Sequence, residues 1–169
     1  MNGANAMYFA GTNSFYLPPF GTNWTQGEIF AVIKSLGTTN AQVGLWLMGA
    51  DGFTSLYPQT DGRIQENFGR GDYAVITGYP PSDIRNPHLY NITSTVGSWV
   101  SRMNNINYGS AVATNVGFNP DPRLGWGGSG TNSNFRGYVS EIMIFDRELT
   151  ADERATVSTN YLYNRFALP

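Results

Sequence analysis

The sequence predicts an all-β fold, a many-stranded antiparallel sandwich or barrel closed by one C-terminal α-helix, and three observations carry that reading. Segments of strand length recur along the chain, separated by Gly, Pro, Asn and Asp turn chemistry. The stretch 137–145, GYVSEIMIF, is apolar on both alternating faces, as a strand covered from both sides must be. Directly after its charged corner, Thr150 and Glu153 form a capping-box pattern that opens a helix.

Taken in order, AMYFAG and SFYLPP open the chain, the second stopped by Pro18 and Pro19, which have no N–H to give to a ladder. In GEIFAVIKSL, Ile29, Ala31 and Ile33 alternate with Phe30, Val32 and Lys34, which reads as a central strand with both faces largely covered. QVGLWLMG, FTSLY and RIQENF then form a meander over 43–68, with Asp51-Gly52 and Asp61-Gly62 as positive-φ turns. Residues 77–88, TGYPPSDIRNPH, read as a long surface loop with His88 in it beside Pro87. LYNITST and SWVSRM are strands, Asn104-Asn105 is a hairpin tip, and YGSAVAT returns. A turn at Pro120–Pro122 leads into RLGW, a Gly/Ser/Asn loop over 127–134 and the strand 137–145. In the closing helix, Asp152 and Glu153 bring negative charge to the first turn, and Val157, Tyr161, Leu162 and Phe166 share a face that must rest on the β-body.

At 169 residues the chain is expected to be a single domain, 1–169, large enough for a two-layer core. Charged residues are only 13% and the net charge is −2 with Lys34 the sole lysine, so counterion release has no basic cluster to act through and nucleic acid is not an expected partner. The absence of cysteine removes disulfides, thiolate nucleophiles and cysteine zinc sites. The first 17 residues show no basic start followed by an apolar run, and no segment has the length of a membrane span. A secretion leader and membrane insertion are therefore not expected.

The ordered run FRGYVSEIMIFDRELTADERATVSTNYLYNRFAL, Phe135–Leu168, resembles the closing signature of the concanavalin A-like lectin/glucanase superfamily in its laminin G-like jelly-roll branch. It holds a Phe-x-Gly turn, an apolar strand containing Glu, an Asp-Arg-x-Leu corner, a Thr-x-x-Glu-Arg cap and a Tyr-Leu pair near the helix end, over about a fifth of the chain. Upstream, AMYFAGTNSFYLPP is similar to the family's first strands and PRLGWGG to the strand before the signature. The resemblance implies a two-sheet antiparallel jelly-roll sandwich with adjacent chain ends. It further implies an extracellular or virion-surface setting, a cell-surface glycan or polysaccharide as partner, and room for a calcium ion near the ligand loops.

Candidate chemistry is then weighed residue by residue. Glucanases of the superfamily use two glutamates on one strand face with an Asp between them. Here Glu141 and Asp146 are five apart and point to opposite faces, so Glu141, on the side of Val139, Met143 and Phe145, reads as a structural carboxylate paired with Arg147 or Arg154. No catalytic residue is assigned. GWGGSG at 125–130 matches a dinucleotide fingerprint in letters, but a strand and not a helix follows. Arg70-Gly71-Asp72 is a chance match, and the sequons at Asn23 and Asn91 receive no role. Asp51, Asp61, Asp72, Asp83 and Asp121 sit in turns at no calcium-loop spacing, which leaves the metal undetermined.

Sugar rings present C–H faces and a rim of hydroxyls, so a sugar site needs an aromatic platform flanked by polar groups. Trp46 and Trp99 fall in strands and read as core. Trp126 with Asn132 and Asn134, Trp24, and Tyr79 and Tyr90 beside the proline loop are the candidate ligand-binding residues. The expected function is non-catalytic, lectin-like glycan recognition by a phage tail-fibre or adhesin module, with homo-oligomerisation through a parent fibre. A structural assembly domain without a sugar site, and a polysaccharide-cleaving enzyme, are the alternatives.

Overall fold

The computed structural model of the chain describes residues 1, 3–21, 23–38, 42–128 and 133–169. Its strands are β1 (Met7–Ala10), β2 (Phe15–Tyr16), β3 (Gln26–Ser35), β4 (Val43–Gly49), β5 (Ser55–Leu56), β6 (Gln65–Glu66), β7 (Val75–Ile76), β8 (His88–Thr95), β9 (Ser98–Met103), β10 (Ile106–Ala111), β11 (Phe118–Leu124), β12 (Ser133–Asn134) and β13 (Arg136–Phe145). They form two sheets, ordered β1-β13-β3-β8-β9-β10 and β2-β11-β4-β5-β6-β7, antiparallel throughout except that β12 lies parallel to β4. The expected sandwich with a C-terminal helix is what the chain forms.

Strand β3 lies at the centre. Its Ile29, Ala31 and Ile33 point into the core between the sheets, where they meet Leu45, Trp46, Phe68, Tyr90 and Trp99. Its Phe30 and Val32 point outward and are covered by Leu149, Leu162 and Phe166 from the helical segment. The unbroken apolar pattern of β3 follows from having a protein layer on each side. Met1 and Leu168 pack on the same outer cluster, so the chain ends lie close together.

Strand β13 pairs with β3 but carries an extra residue, Ser140, since Val139 faces Ile33 while Glu141 faces Val32. This bulge changes which residues share a face. Val139 joins the inter-sheet core, whereas Glu141, Met143 and Phe145 lie on the helix side, correcting the simple alternation expected from sequence. Gly137 is required where the strand begins, because a Cβ there would collide with the Lys34 carbonyl.

Two further expectations change. Pro120 and Pro122 lie inside β11 and not in a turn. The ladder between β11 and β4 is interrupted between Phe118 and Arg123, so the missing N–H groups cost no pairing there, and the Pro122 carbonyl accepts from Leu17 N at 2.9 Å. His88 is the first residue of β8 and is buried, its ring stacked on Tyr57 with Nε2 2.6 Å from the Tyr57 hydroxyl. Nδ1 lies 2.8 Å from the Asn86 carbonyl, an acceptor only, so Nδ1 carries the proton and Nε2 accepts from Tyr57. The hairpin tip is as expected, with Asn104 at φ 50° and Asn105 at φ 64°.

The helical segment comprises α1 (Ala151–Ala155), a π-wound stretch Thr156–Tyr163, and α2 (Asn164–Phe166), where the sequence predicts a plain α-helix. The wider winding buries Ser158, Leu162 and Phe166, a four-residue step, with Val157 and Tyr161 partly buried beside them. The capping box is formed: Thr150 Oγ1 accepts from Glu153 N at 3.3 Å, and Glu153 Oε2 accepts from Thr150 N at 2.9 Å. Arg147 closes on Glu153 through both terminal nitrogens, at 2.8 and 2.6 Å, and holds its carboxyl down at about 2.

Beneath this segment lies Glu28, fully buried on β3. Its carboxylate accepts from Arg154 Nε at 2.6 Å, Arg154 Nη2 at 3.0 Å, Leu149 N at 2.9 Å and Asn91 Nδ2 at 2.9 Å. Removing one partner strands a buried charge, so Arg154→Ala is expected to destabilise the fold by about 3–5 kcal/mol in urea unfolding, with Glu28→Gln/Arg154→Met recovering most of the loss. Burial pushes the His88 imidazole from 6.5 down to about 4. The unfolded chain therefore takes up a proton that the folded chain refuses. The stability His88 contributes is complete above pH 6.5 and falls by about 3 kcal/mol as pH drops through about 4. Urea midpoints measured from pH 7.5 to 4 should show this slope, and His88→Gln should remove it.

Candidate functional site

The register brings several loops to one end of the sandwich. Gly137 pairs with Ser35 at the end of β3, Val43 N donates to the Pro58 carbonyl, and Ser35 N donates to the Ile84 carbonyl at 2.9 Å. The loops after β3, β5 and β7 thereby enclose a groove of about 750 Å³. Leu36, Pro58 and the buried Ile84 give it an apolar floor, and Tyr79, 68% exposed, stands on its wall with Pro80 and Pro81.

Asp61, Asp83 and Arg85 give the groove its polar lining, and each Asp is held by one local pattern. Asp61 accepts from Arg63 N at 3.0 Å and pairs with Arg63 Nε at 2.7 Å across the positive-φ turn at Gly62. Asp83 accepts from Arg85 N at 2.9 Å and pairs with Arg85 through Nε and Nη2, the latter at 2.8 Å. Each Asp both folds its turn and fixes its arginine two residues on. These hydrogen bonds hold both carboxyls below the usual range, Asp83 at about 2. Asp61 and Asp83 were expected only as turn residues, and the repeated Asp-x-Arg, DGR at 61–63 and DIR at 83–85, is the sequence signal for the pairs.

Behind the floor, a buried polar cluster joins the sheets. Glu66 accepts from Trp46 Nε1 at 2.8 Å, from Ser55 Oγ, from the Asn67 and Phe68 amides at 2.8 and 2.9 Å, and from the Tyr90 hydroxyl at 3.0 Å. Tyr90 is fully buried and inclined to Tyr57 at 5.0 Å. It points into the core and cannot meet a ligand, which corrects its assignment as a binding residue: position next to the proline loop in sequence did not place its ring on the surface.

The other candidates separate. Trp126 stacks on the Arg123 guanidinium at 4.5 Å, and Asn134 Oδ1 accepts from Gly127 N at 2.9 Å, so these two belong to one surface beside the start of β4. Asn132 lies outside the described residues. The Trp126–Gly127 backbone crosses so closely over Gly44 that no Cβ would fit there. Trp24 is at the other end of β11, half-buried between Phe20 at 5.1 Å and Phe118 at 5.4 Å, where it staples the segment leading into β3.

Glu141 is a structural carboxylate with other partners than expected, accepting from the Tyr161 hydroxyl at 2.9 Å and pairing with Arg165 at 3.2 Å. Arg147 is committed to Glu153, and Arg154 to Glu28. Arg70 is fully buried and bonded to Asp72 and two carbonyls, so the Arg-Gly-Asp sequence presents no free arginine. Asn91 is equally buried, bonded to Glu28 and Arg102. Among the described residues no three His, Cys, Asp or Glu side chains converge as metal ligands, and Asp51, Asp61, Asp72 and Asp83 are engaged in their own turns and pairs.

No protein-family model matches the sequence, and no curated protein matches it. Solved structures do. A Trypanosoma rangeli sialidase in complex with the inhibitor DANA superposes with a TM-score of 0.67 at 13% identity, over 90% of this chain and 27% of that one, so the chain spans about a quarter of the enzyme. The CBM40 of Ruminococcus gnavus IT-sialidase, bound to α2,3 sialyllactose, matches at TM-score 0.63 and 14% identity, over 90% of this chain and 96% of that module. Mouse laminin α1 domains LG4-5 match at TM-score 0.63 and 15% identity, over 90% and 44%. With the strand order, the helical cover and the closing signature, these likenesses establish that the chain has the concanavalin A-like jelly-roll fold.

Proposed function

We propose that the chain is a non-catalytic carbohydrate-recognition domain that binds a cell-surface glycan in the groove beside Tyr79. The observation that carries this reading is an exposed aromatic ring in a concave groove lined also by Asp61, Asp83 and Arg85, each acid fixed by its own arginine. The ring offers a platform for sugar C–H faces, while Asp61 and Asp83 offer hydroxyls acceptors and Arg85 a donor. Glycan-binding modules among proteins of this fold support the reading, as does their size, close to that of this chain. As a single domain of a larger extracellular or virion-surface protein, such as a tail fibre or adhesin, it would meet glycans in several copies and gain avidity.

The acids present support binding without cleavage. Two-carboxylate glycoside hydrolysis needs one carboxyl held protonated near neutral pH and a second one ionised. In the groove both Asp61 and Asp83 are held ionised by their own arginines. Glu66, whose carboxyl burial pushes up, is sealed in the core and does not line the groove.

A glycan array probed with the wild-type domain and Tyr79→Ala tests the proposal. Tyr79→Ala should weaken binding of the best glycan by about tenfold or more, about 1.4 kcal/mol, while leaving stability within about 0.5 kcal/mol. Trp24→Ala should do the opposite, costing about 2–3 kcal/mol of stability with affinity unchanged. Unaltered binding by Tyr79→Ala would remove the groove as the site. No binding to any glycan would overturn the recognition function in favour of an assembly role.

A further inference from the structure

Three arginines of this chain stack on aromatic rings, and they differ in what else they do. Arg70 lies over Tyr73 and pairs with Asp72, and Arg165 lies over Tyr161 and pairs with Glu141. Arg123 lies between two rings, 4.4 Å from the centroid of Tyr16 and 4.5 Å from that of Trp126, and pairs with no carboxylate among the described residues. Its Nε is buried without a hydrogen-bond partner among the described residues. Asp121, two residues back on β11, is exposed and forms no ion pair with it. Arg70 Nη2 also lacks a hydrogen-bond partner but lies 2.8 Å from Asp72 Oδ1, so of the stacked arginines Arg123 is the one held in place without a carboxylate among the described residues.

The position is built by the sheet. Arg123 pairs with Tyr16 across β2 and with Leu47 across β4, and Leu124 then leads through Gly125, at φ 77°, into Trp126. The positive-φ turn returns the indole over the arginine, and Gly125 N is fixed to the Leu45 carbonyl. Rings on both faces leave the edge of the guanidinium as its route to a partner. That edge carries N–H donors spaced for two oxygens of one anionic group. Because packing already holds the side chain, little rotamer entropy remains to be lost on binding.

We propose that the Tyr16–Arg123–Trp126 stack is a subsite for the anionic group, carboxylate or sulfate, of an acidic sugar, and that this domain therefore prefers charged over neutral glycans. The inference rests on the carbohydrate-recognition reading but not on the same residues as the groove. Tyr16 is 67% exposed and Arg123 and Trp126 are half-buried, so the stack stands at the surface.

The test is calorimetric titration with three defined probes, an oligogalacturonate, a chondroitin sulfate oligosaccharide and a neutral oligosaccharide taken from the array, against wild type, Arg123→Gln, Arg123→Lys and Tyr79→Ala. The proposal expects at least one acidic probe to bind wild type about tenfold tighter than the neutral one. Arg123→Gln should abolish that preference while changing neutral binding less than about twofold, and Arg123→Lys, which keeps the charge and loses the planar fork, should recover only part of it. Which acidic probe responds distinguishes carboxylate from sulfate. Equal binding of acidic and neutral probes, or an acidic preference untouched by Arg123→Gln with thermal unfolding unchanged, overturns the subsite while the Tyr79 groove reading stands. Loss of binding of every probe in Arg123→Gln despite native unfolding also overturns it, because the residue would then serve the whole site and not the anion. Failure of every probe and array glycan to bind wild type overturns both.

Discussion

The Glu28 carboxylate is the contact on which the arrangement of this domain depends. It is buried on the outward face of the central strand, where an unpaired charge would be intolerable, and its oxygens are met by Arg154 from α1, the Leu149 amide from the corner before it, and Asn91 from β8. One side chain thus fixes strand, corner and helix to one another. The spacing of the closing signature follows from this: Thr150 and Glu153 cap the helix, Arg147 orients Glu153, and Arg154, next in sequence, reaches Glu28. Arg102 extends the network by donating to Asn91 and Thr93, so the polar layer beneath the helix runs across β8 to β9. Around it, Phe30, Val32, Leu149, Leu162 and Phe166 exclude water and keep the pair strong.

Glu66 does the corresponding work between the sheets. Its donors come from β4, β5, β8 and the turn after β6, so it ties the short strands of one sheet to the long strands of the other. β5, β6 and β7 are two residues each and could not hold their places by ladder bonds alone. Trp46 and Tyr90, stacked at 5.8 Å, fill the space around the carboxylate. Both interior glutamates are therefore structural, and the proposed groove draws on loops whose charged residues are paired with near neighbours in sequence.

The fold was legible because its evidence is local. Capping box, hairpin asparagines, turn glycines and the double-faced pattern of β3 and β13 all act within a few residues of themselves. What could not be read was set by long-range packing. The bulge at Ser140 moved Val139 and Glu141 to different faces and gave Glu141 to Arg165, a residue 24 positions away in sequence. His88 and Tyr90, taken for loop and surface residues, are buried because β8 lies between β3 and β9 and the cluster around Glu66 and Tyr57 receives them. Aromatic residues near turns were sound candidates as a class. Which of them faces solvent depends on the layers above and below, and only Tyr79 of those proposed reaches the groove. The prolines of β11 were read as a turn because a break in the β11–β4 ladder has no local sequence mark.

The groove's arrangement has a consequence for how a ligand would be held. Asp61–Arg63 and Asp83–Arg85 are each closed within a two-residue span, so neither depends on a distant loop moving into place. A sugar hydroxyl needs both an acceptor for its proton and a donor for its oxygen. A free carboxylate or guanidinium would supply one of these and reorganise to be desolvated, whereas a fixed pair presents both at once and is largely neutral as a unit. The same pairing that keeps the acids ionised, and so unable to protonate a leaving group, makes them suited to repeated, reversible contact with hydroxyls. In the proposed site the Asp-x-Arg turns are therefore preorganised for hydroxyls, and Arg123, which has no carboxylate partner among the described residues, is the complementary case of a cation left able to accept one.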